Sequence, residues 1–293
     1  MCCEIGGLCQ FLRMVDLPYR RLLFVVNCAK RRADELAGRL SGLARAAGFE
    51  TEIVRGHPVA DTAFENADLC CVIGGDGTIL GCVGGAAKYG VPIFGINLGK
   101  LGFMATFTDS ISDSEFLGAI RGGAEVEERA LLCADFGAGG VLALNEFVIR
   151  GANLAGIVTL VVSADGEFVA DLSGDGVIFS TPTGSTAYNL SANGPLIHPK
   201  AAAFVLTSIC PHTLSNRSIV FADSSNVQVK GEGAVLIADG RIVEGWDSRT
   251  PLKISVSPQR LKFIRPPELS HFCVLRTKLG WAAAPRKPGG DES

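Results

Sequence analysis

The sequence predicts an α/β half followed by an all-β half, and three observations predict it. Up to about residue 125, short apolar runs alternate with segments of helical period. Beyond that point, strand-like runs follow one another almost directly. Asp165-Gly166 and Asp239-Gly240 lie between such runs, and Asp-Gly is a two-residue hairpin signal. A chain of 293 residues is long enough to build two cores.

Leu22–Val26 reads as the first strand. Arg31–Ala47 reads as a helix, with Leu36, Leu40, Leu43, Ala44 and Ala47 on one face and Gly48 as its stop. Phe49–Val54 and Leu69–Ile73 are the next strands, Ile79–Tyr89 is a helix of small residues closed by Gly90, and Val91–Ile96 is the fourth strand. This rhythm argues for a Rossmann-like parallel sheet with helices on its faces. Ser112-Asp113-Ser114-Glu115 has the form of a capping box, opening a short helix that turns Phe116, Leu117 and Ile120 inward. The later strand-like runs are Ala130–Phe136, Val141–Ile149, Ile157–Ser163, Glu167–Asp171, Val177–Thr181, Phe204–Ile209 and Ile219–Phe221. Val227–Lys230, Val235–Ala238, Ile242–Glu244, Leu252–Val256 and Leu261–Ile264 complete them, and their spacing fits a β-sandwich. Leu269–Lys278 reads as a closing helix with Phe272, Leu275 and Leu279 roughly on one side. Residues 1–20 are expected to be an extension, and the proline-rich tail 282–293 is expected to be disordered.

Composition narrows the function classes. Hydrophobic residues make up 47% and charged residues 19%, with a formal net charge of -3. No basic field is present for a nucleic-acid backbone. Mean hydropathy is +0.31, yet no apolar run reaches the ~18 residues of a membrane span. Neither a nucleic acid nor a membrane is therefore expected as a partner. The ten cysteines form no C-x-x-C pair and the four histidines are scattered, so no side-chain metal site is expected. Reduced thiols in a cytoplasmic protein are the expectation, and the first fifteen residues lack the marks of a signal peptide.

Four stretches carry the residue types of chemistry. Gly74-Gly75-Asp76-Gly77-Thr78 follows the apolar run Leu69–Ile73, placing a carboxylate among glycines at the end of a strand. Open α/β sheets bind ligands at that end, and glycines let a phosphate or ribose approach the backbone. An Asp-Gly turn is also an ordinary structural turn. Asp175-Gly176 leads through an apolar run into Thr181-Pro182-Thr183-Gly184-Ser185-Thr186-Ala187-Tyr188. There Ser185 or Thr186 could cap a short helix whose N–H groups bind an anion, and Tyr188 offers a flat ring for a base. Asn145-Glu146 lies inside the run Val141–Ile149, either as a buried pair that must find partners or on an exposed edge strand. Gly99-Lys100-Leu101-Gly102-Phe103 lacks the spacing and the Ser/Thr of a Walker A loop. No strand is followed by G-x-G-x-x-G, which leaves ordinary dinucleotide oxidoreductases without support.

Together these stretches resemble the NAD kinases, which phosphorylate the 2′-hydroxyl of the adenosine ribose of NAD to give NADP. The resemblance rests on GGDGT at Gly74–Thr78, GINLGKLGF at Gly95–Phe103, LNE at Leu144–Glu146 and the long block Asp175–Pro195. It continues through Pro211–Arg217 and Thr277–Trp281. GGDGT alone is shared with lipid kinases; the Asp175–Pro195 block is far more specific. A lipid kinase and a non-catalytic dinucleotide sensor are the rival classes, and ATP-dependent conversion of NAD to NADP separates them.

The resemblance implies a Rossmann-like domain over 21–125 and 266–281, its closing helix returning to it, and a β-sandwich over 126–265. It implies Asp76 as the proton acceptor beside the acceptor ribose, in a turn where Gly75 and Gly77 line the dinucleotide site. Phe103 matches an aromatic against the adenine. Asn145 and Glu146 match the pair that holds ribose and adenine. Asp175 matches an acid at the nicotinamide end, in some members across a subunit interface. Thr186, Ala187, Tyr188 and Ser191 match the lining of the pocket, and Arg241 stands where some members have a glutamine near the ligand. Ser173 replaces a common basic residue, and Met104 replaces a tyrosine found in some relatives. ATP or polyphosphate as donor, Mg²⁺ carried by the donor phosphates, and a homodimer or homotetramer are further implications.

Overall fold

Five apolar side chains in a row, Leu22–Val26, are each no more than 1% exposed, as a strand covered on both faces requires. They form β1 (Arg21–Val26) in a computed structural model that describes residues 18–56, 58–99, 102–137, 140–152, 156–266 and 269–281. The tail expected at 282–293 and most of the extension expected at 1–20 lie outside the described residues. After β1 come α1 (Ala33–Ala46), β2 (Glu50–Arg55), β3 (Leu69–Gly74), α2 (Asp76–Leu80), α3 (Val83–Tyr89), β4 (Ile93–Asn97), β5 (Phe107–Thr108) and α4 (Asp113–Gly118). β1 to β4 pair in parallel in the order β4-β3-β1-β2. α1 and α4 bury Leu36, Leu40, Ala44 and Phe116 on one face of the sheet. α2 and α3 bury Ile79, Val83 and Ala86 on the other. Ser112 caps α4 as the sequence predicts, accepting from the Glu115 N–H at 3.2 Å. The helix expected over Ile79–Tyr89 is two helices, α2 and α3, which meet at Gly81-Cys82. The first begins three residues earlier, at Asp76 itself.

The second half contains β6 (Glu125–Asp135), β7 (Gly140–Ala143), β8 (Glu146–Gly151), β9 (Val158–Ala164), β10 (Glu167–Gly174), β11 (Gly176–Ser180), α5 (Tyr188–Ser191) and β12 (Ala203–Ile209). β13 (Ile219–Ala222), β14 (Val227–Lys230), β15 (Ala234–Ala238), β16 (Arg241–Val243), β17 (Leu252–Arg265) and α6 (His271–Leu279) complete it. One sheet has the order β13-β12-β11-β8-β15-β16. It packs against β6, β9, β14 and β17 through Phe147, Phe179, Phe204, Leu132, Leu160, Val229 and Ile254, which makes a sandwich. Both Asp-Gly pairs take positive φ at both residues, 51° and 89° at Asp165-Gly166 and 46° and 79° at Asp239-Gly240. That is the backbone of a two-residue hairpin turn.

Three further expectations differ from the structure. The runs Leu252–Val256 and Leu261–Ile264 are one strand, β17, with an irregularity in its pairing between Val256 and Arg260. Its far end pairs in parallel with β4, Phe263 opposite Ile93, so the sheet of the first half continues into the second. The run Val141–Ile149 is two strands, β7 and β8, broken at Leu144-Asn145. On α6, Val274 and Leu275 are buried while Phe272 is 60% exposed. The helix brings the Lys278 ammonium to 5.9 Å from the centre of the Phe103 ring, so its end lies beside the first half.

Candidate functional site

β1 is followed by α1 and then β2 on one side of it, while β3 is followed by α2, α3 and β4 on the other. The loops leaving β1 and β3 therefore part, and they open a crevice at the carboxyl ends of the strands. Gly74–Thr78 forms one wall. Asn27 and Lys30, from the loop after β1, form the other. The Asn27 Nδ2 donates to Thr78 Oγ1 at 3.1 Å, and the Lys30 ammonium donates to the Gly74 carbonyl at 2.9 Å and to Asn97 Oδ1 at 3.3 Å. Asp76, half-buried, is the first residue of α2. Its carboxylate accepts from the backbone N–H groups of Phe103 at 3.0 Å, Met104 at 3.3 Å and Ala105 at 3.1 Å. It thereby fixes the loop that carries the half-buried Phe103. Gly77 is exposed, and a side chain there would meet nothing within 4 Å.

Asn145 and Glu146 approach this crevice from the second sheet. Glu146 begins β8, which lies between β11 and β15, so the pair is not on an edge strand. The two residues are 8% and 7% exposed. Leu144, just before them, shares a buried cluster with Ile79 of α2 and with Met104. The break in the chain at this point is held by Asp239. Its carboxylate accepts from the N–H groups of Leu144 at 2.8 Å, Asn145 at 2.8 Å and Glu146 at 3.1 Å. Two residues further on, Arg241 Nη2 donates to the carbonyl of Leu80, at the end of α2, at 3.0 Å. The β15–β16 hairpin thus ties the Asn145-Glu146 pair to the helix that carries Asp76. Arg241, expected near a ligand, is placed on that carbonyl.

Two carboxyls sit close together here. Burial first and the neighbouring Asp239 second push the Glu146 carboxyl up to about 7, against the Tyr188 N–H, which lowers it. Glu146 Oε2 is buried without a partner. Burial also raises the Asp239 carboxyl, against the three N–H groups and the Arg241 charge that lower it.

The block after β11 closes the site, and its hydroxyls are bound within the block or to residues packed against it. Thr181 Oγ1 donates to the Leu144 carbonyl at 2.6 Å and accepts from the Gly184 N–H at 3.0 Å. Ser185 caps no helix. Its hydroxyl donates to the Pro182 carbonyl at 2.7 Å and accepts from the Ile197 N–H at 3.0 Å. Thr186 donates to the Thr183 carbonyl at 3.2 Å, and α5 has no side-chain cap. Asn189, fully buried, bonds Ser185, Pro195 and Thr207. A Cβ on Gly184 would overlap the carbonyl of Asn145. Behind the block, Arg129 donates to Thr183 Oγ1 at 3.3 Å and to Glu127 at 3.0 Å, and Glu127 also pairs with Arg265. Burial raises the Glu127 carboxyl, but the two guanidiniums outweigh it and hold the group below its ordinary range. On the open side of the block, Thr186 and Ala187 are half-buried, and Tyr188 and Ser191 are exposed.

Asp175 lies elsewhere. It is exposed in the turn between β10 and β11, beside the Cys210 thiol. The five residues of β11 separate it from the block, a span of about 16 Å at the usual strand rise. Within one chain it does not join Asp76, Asn145 and Tyr188. Sequence reading passed over Lys30, Asn27 and Asp239. The first two had a signal, their place just after a parallel strand. Asp239 had only its hairpin turn. Among the described residues no group of three or more His, Cys, Asp or Glu side chains could hold a metal ion.

Residues 57–117 match the family of ATP-NAD kinase N-terminal domains, and residues 144–266 match that of ATP-NAD kinase C-terminal domains. The chain is 40% identical to an NAD kinase of Aromatoleum aromaticum over 233 residues, 76% of this chain and 77% of that protein. It is 37% identical to an NAD kinase of Bordetella pertussis over 252 residues, 80% and 83% of the two chains. An NAD kinase from Archaeoglobus fulgidus, solved in complex with ATP, superposes with a TM-score of 0.77 at 27% identity, over 90% of this chain and all of that one. A yeast NADH kinase solved with NADH has the same fold, with a TM-score of 0.77 at 21% identity over 92% and 91% of the two chains.

Proposed function

The chain belongs to the ATP-NAD kinase family, and from that membership we propose that it transfers the γ-phosphoryl group of ATP to the 2′-hydroxyl of the adenosine ribose of NAD. The 2′-oxygen bonds to phosphorus, the bond to the bridging oxygen of ADP breaks, and the hydroxyl proton leaves to a base. The products are NADP, ADP and a proton. One observation carries the reading. Asp76 stands at the crevice between β1 and β3, and Asn145-Glu146 of the other sheet is braced against its helix.

Phosphoryl transfer depends mainly on positioning and on charge stabilisation. Asp76 takes the proton of the 2′-hydroxyl as the bond to phosphorus forms. Its three N–H partners hold the carboxylate in one orientation. Gly77 leaves the backbone open to the ligand, and Gly75 lines the site beside the Lys30 ammonium. Asn145 and Glu146 hold ribose and adenine groups, and the unpartnered Glu146 Oε2 is the acceptor an adenine amino group would satisfy. Phe103 packs against the adenine, while Thr186, Ala187, Tyr188 and Ser191 line the pocket. The divalent cation belongs on the donor phosphates, because Mg²⁺ keeps most of its waters and binds through one or two carboxylates. Steering that cation would be the alternative role of the Asp76 carboxylate.

Asp175 sits too far along β11 to reach this pocket from within its own chain. In this reading it serves the pocket of a second copy, in a homodimer or homotetramer. No helix among the described residues is long and apolar enough to cross a membrane. Reduced thiols, Cys28 and Cys70 among them, agree with a place in the cytoplasm. The test is ATP-dependent formation of NADP from NAD, read with an NADP-specific dehydrogenase. Product with ATP supports the reading. No product with ATP or with polyphosphate contradicts it.

A further inference from the structure

We propose that Lys30 binds the phosphate chain of the donor nucleotide, an inference that rests on the phosphotransfer reading above. Lys30 leaves β1 at the crevice where the loops of β1 and β3 part. It is half-buried, and its ammonium is held against the glycine turn. A Cβ on Gly75 would stand only 2.9 Å from it. Two of its three N–H directions are taken, by the Gly74 carbonyl and by Asn97 Oδ1. Both acceptors are neutral, and among the described residues Lys30 forms no ion pair. A partly desolvated cation with neutral partners is costly until an anion meets it.

Space and charge agree on what that anion is. Lys30 also lines an open cleft of about 610 Å³, together with Cys28, Arg31, Arg32, Asp34 and Glu35. The guanidinium of Arg32 already faces Glu35 at 3.7 Å and Asp109 at 3.9 Å. A triphosphate entering a protein of net charge -3 needs a fixed positive group, and a lysine serves phosphate as a point charge. The third N–H of Lys30 supplies it, one residue from the carboxylate of Asp76 along the glycine turn. The competing role is purely structural, a staple that joins the β1 loop to the ends of β3 and β4.

Kinetics and thermal shift on the full-length protein separate the two roles. For Lys30→Met we expect KM for ATP to rise at least tenfold while KM for NAD stays within twofold. The upward Tm shift given by MgATP disappears, and the shift given by NAD remains. Inorganic tripolyphosphate, competing with ATP in the wild type, loses inhibition by a similar factor. Lys30→Arg restores part of each loss. Lys30→Gln keeps one hydrogen-bond donor without charge and gives the same readings if the Met variant does not fold. A folded Lys30→Met or Lys30→Gln protein with unchanged KM for ATP overturns the proposal, as does an equal rise in both KM values, the mark of a staple. Wild-type protein that makes no NADP would instead contradict the function proposed above. The MgATP Tm shift, lost in Lys30→Met and kept in wild type, still reports on Lys30 in that case.

Discussion

Two glycine- and hydroxyl-rich turns, Gly74–Thr78 and Thr181–Thr186, look alike in sequence and differ in where their polar groups go. The second is closed on itself. Thr181, Thr183, Ser185 and Thr186 all bond within the block or to its immediate neighbours, and Gly184 presses on the backbone of Asn145. The first stays open at Gly77, and its carboxylate reaches outward to a separate loop. Residue type alone cannot tell these cases apart. In the closed turn the glycine serves the fold, and in the open turn it leaves the backbone accessible.

Paired glycine substitutions are the sharpest way to break the contrast. Gly184→Ala must displace the Asn145 backbone, and overpacking of this kind costs about 3 kcal/mol or more. We expect a large fall in Tm or a failure to fold. Gly77→Ala meets no atom, so its stability should stay within about 1 kcal/mol of wild type, while turnover falls at least tenfold. Denaturant unfolding beside steady-state kinetics reads both. Equal stability losses in the two variants would erase the distinction.

A smaller effect is expected at the hairpin that braces the open turn. Asp239→Asn weakens the hold on three backbone N–H groups. KM for NAD should rise about tenfold, equivalent to about 1.4 kcal/mol, with KM for ATP little changed. Initial rates with each substrate varied in turn give the answer. A rise confined to ATP would place the hairpin on the wrong substrate.

The last of these predictions concerns pH and leaves turnover aside. The Glu146 carboxyl stands at about 7 in the fold against an ordinary 4.5, through burial first and Asp239 second. A value raised by folding favours the folded state while the group is protonated. This contribution is complete below the ordinary value, falls as pH rises through 7, and is then lost. The difference amounts to on the order of 3 kcal/mol. Glu146→Gln should flatten the decline of Tm between about pH 5 and pH 8 without NAD. An unchanged slope would assign the decline to other groups.

Much of the fold was legible because local pattern and burial agree. Leu36, Leu40 and Ala44 repeat at helical spacing and lie under one face of the sheet, and both Asp-Gly hairpins turn as their backbone preference requires. The break at Leu144-Asn145 was not legible, because Leu144 is as apolar as the strand around it. It arises from Asp239, 94 residues from Asn145, gathering amides that a strand would otherwise pair. The site divides in the same way. Asp76, Asn145, Glu146 and Tyr188 announced themselves by type and motif, and the fold brings them toward one crevice. Lys30 carried no motif, and the pairing of β1 with β3 is what brings it to the glycine turn. Asp175 belongs to the same motif block as Tyr188, yet the length of β11 sends it to the opposite end.

The central claim is that the carboxylate at the open turn takes part in phosphoryl transfer. Turnover and NAD affinity of Asp76→Asn, measured together, test it most directly. The account predicts a folded protein with an NAD Kd within a few-fold of wild type and a kcat at least 100-fold lower, near the 10²–10⁴ range typical of a lost general base. A folded variant with near-normal kcat would contradict it.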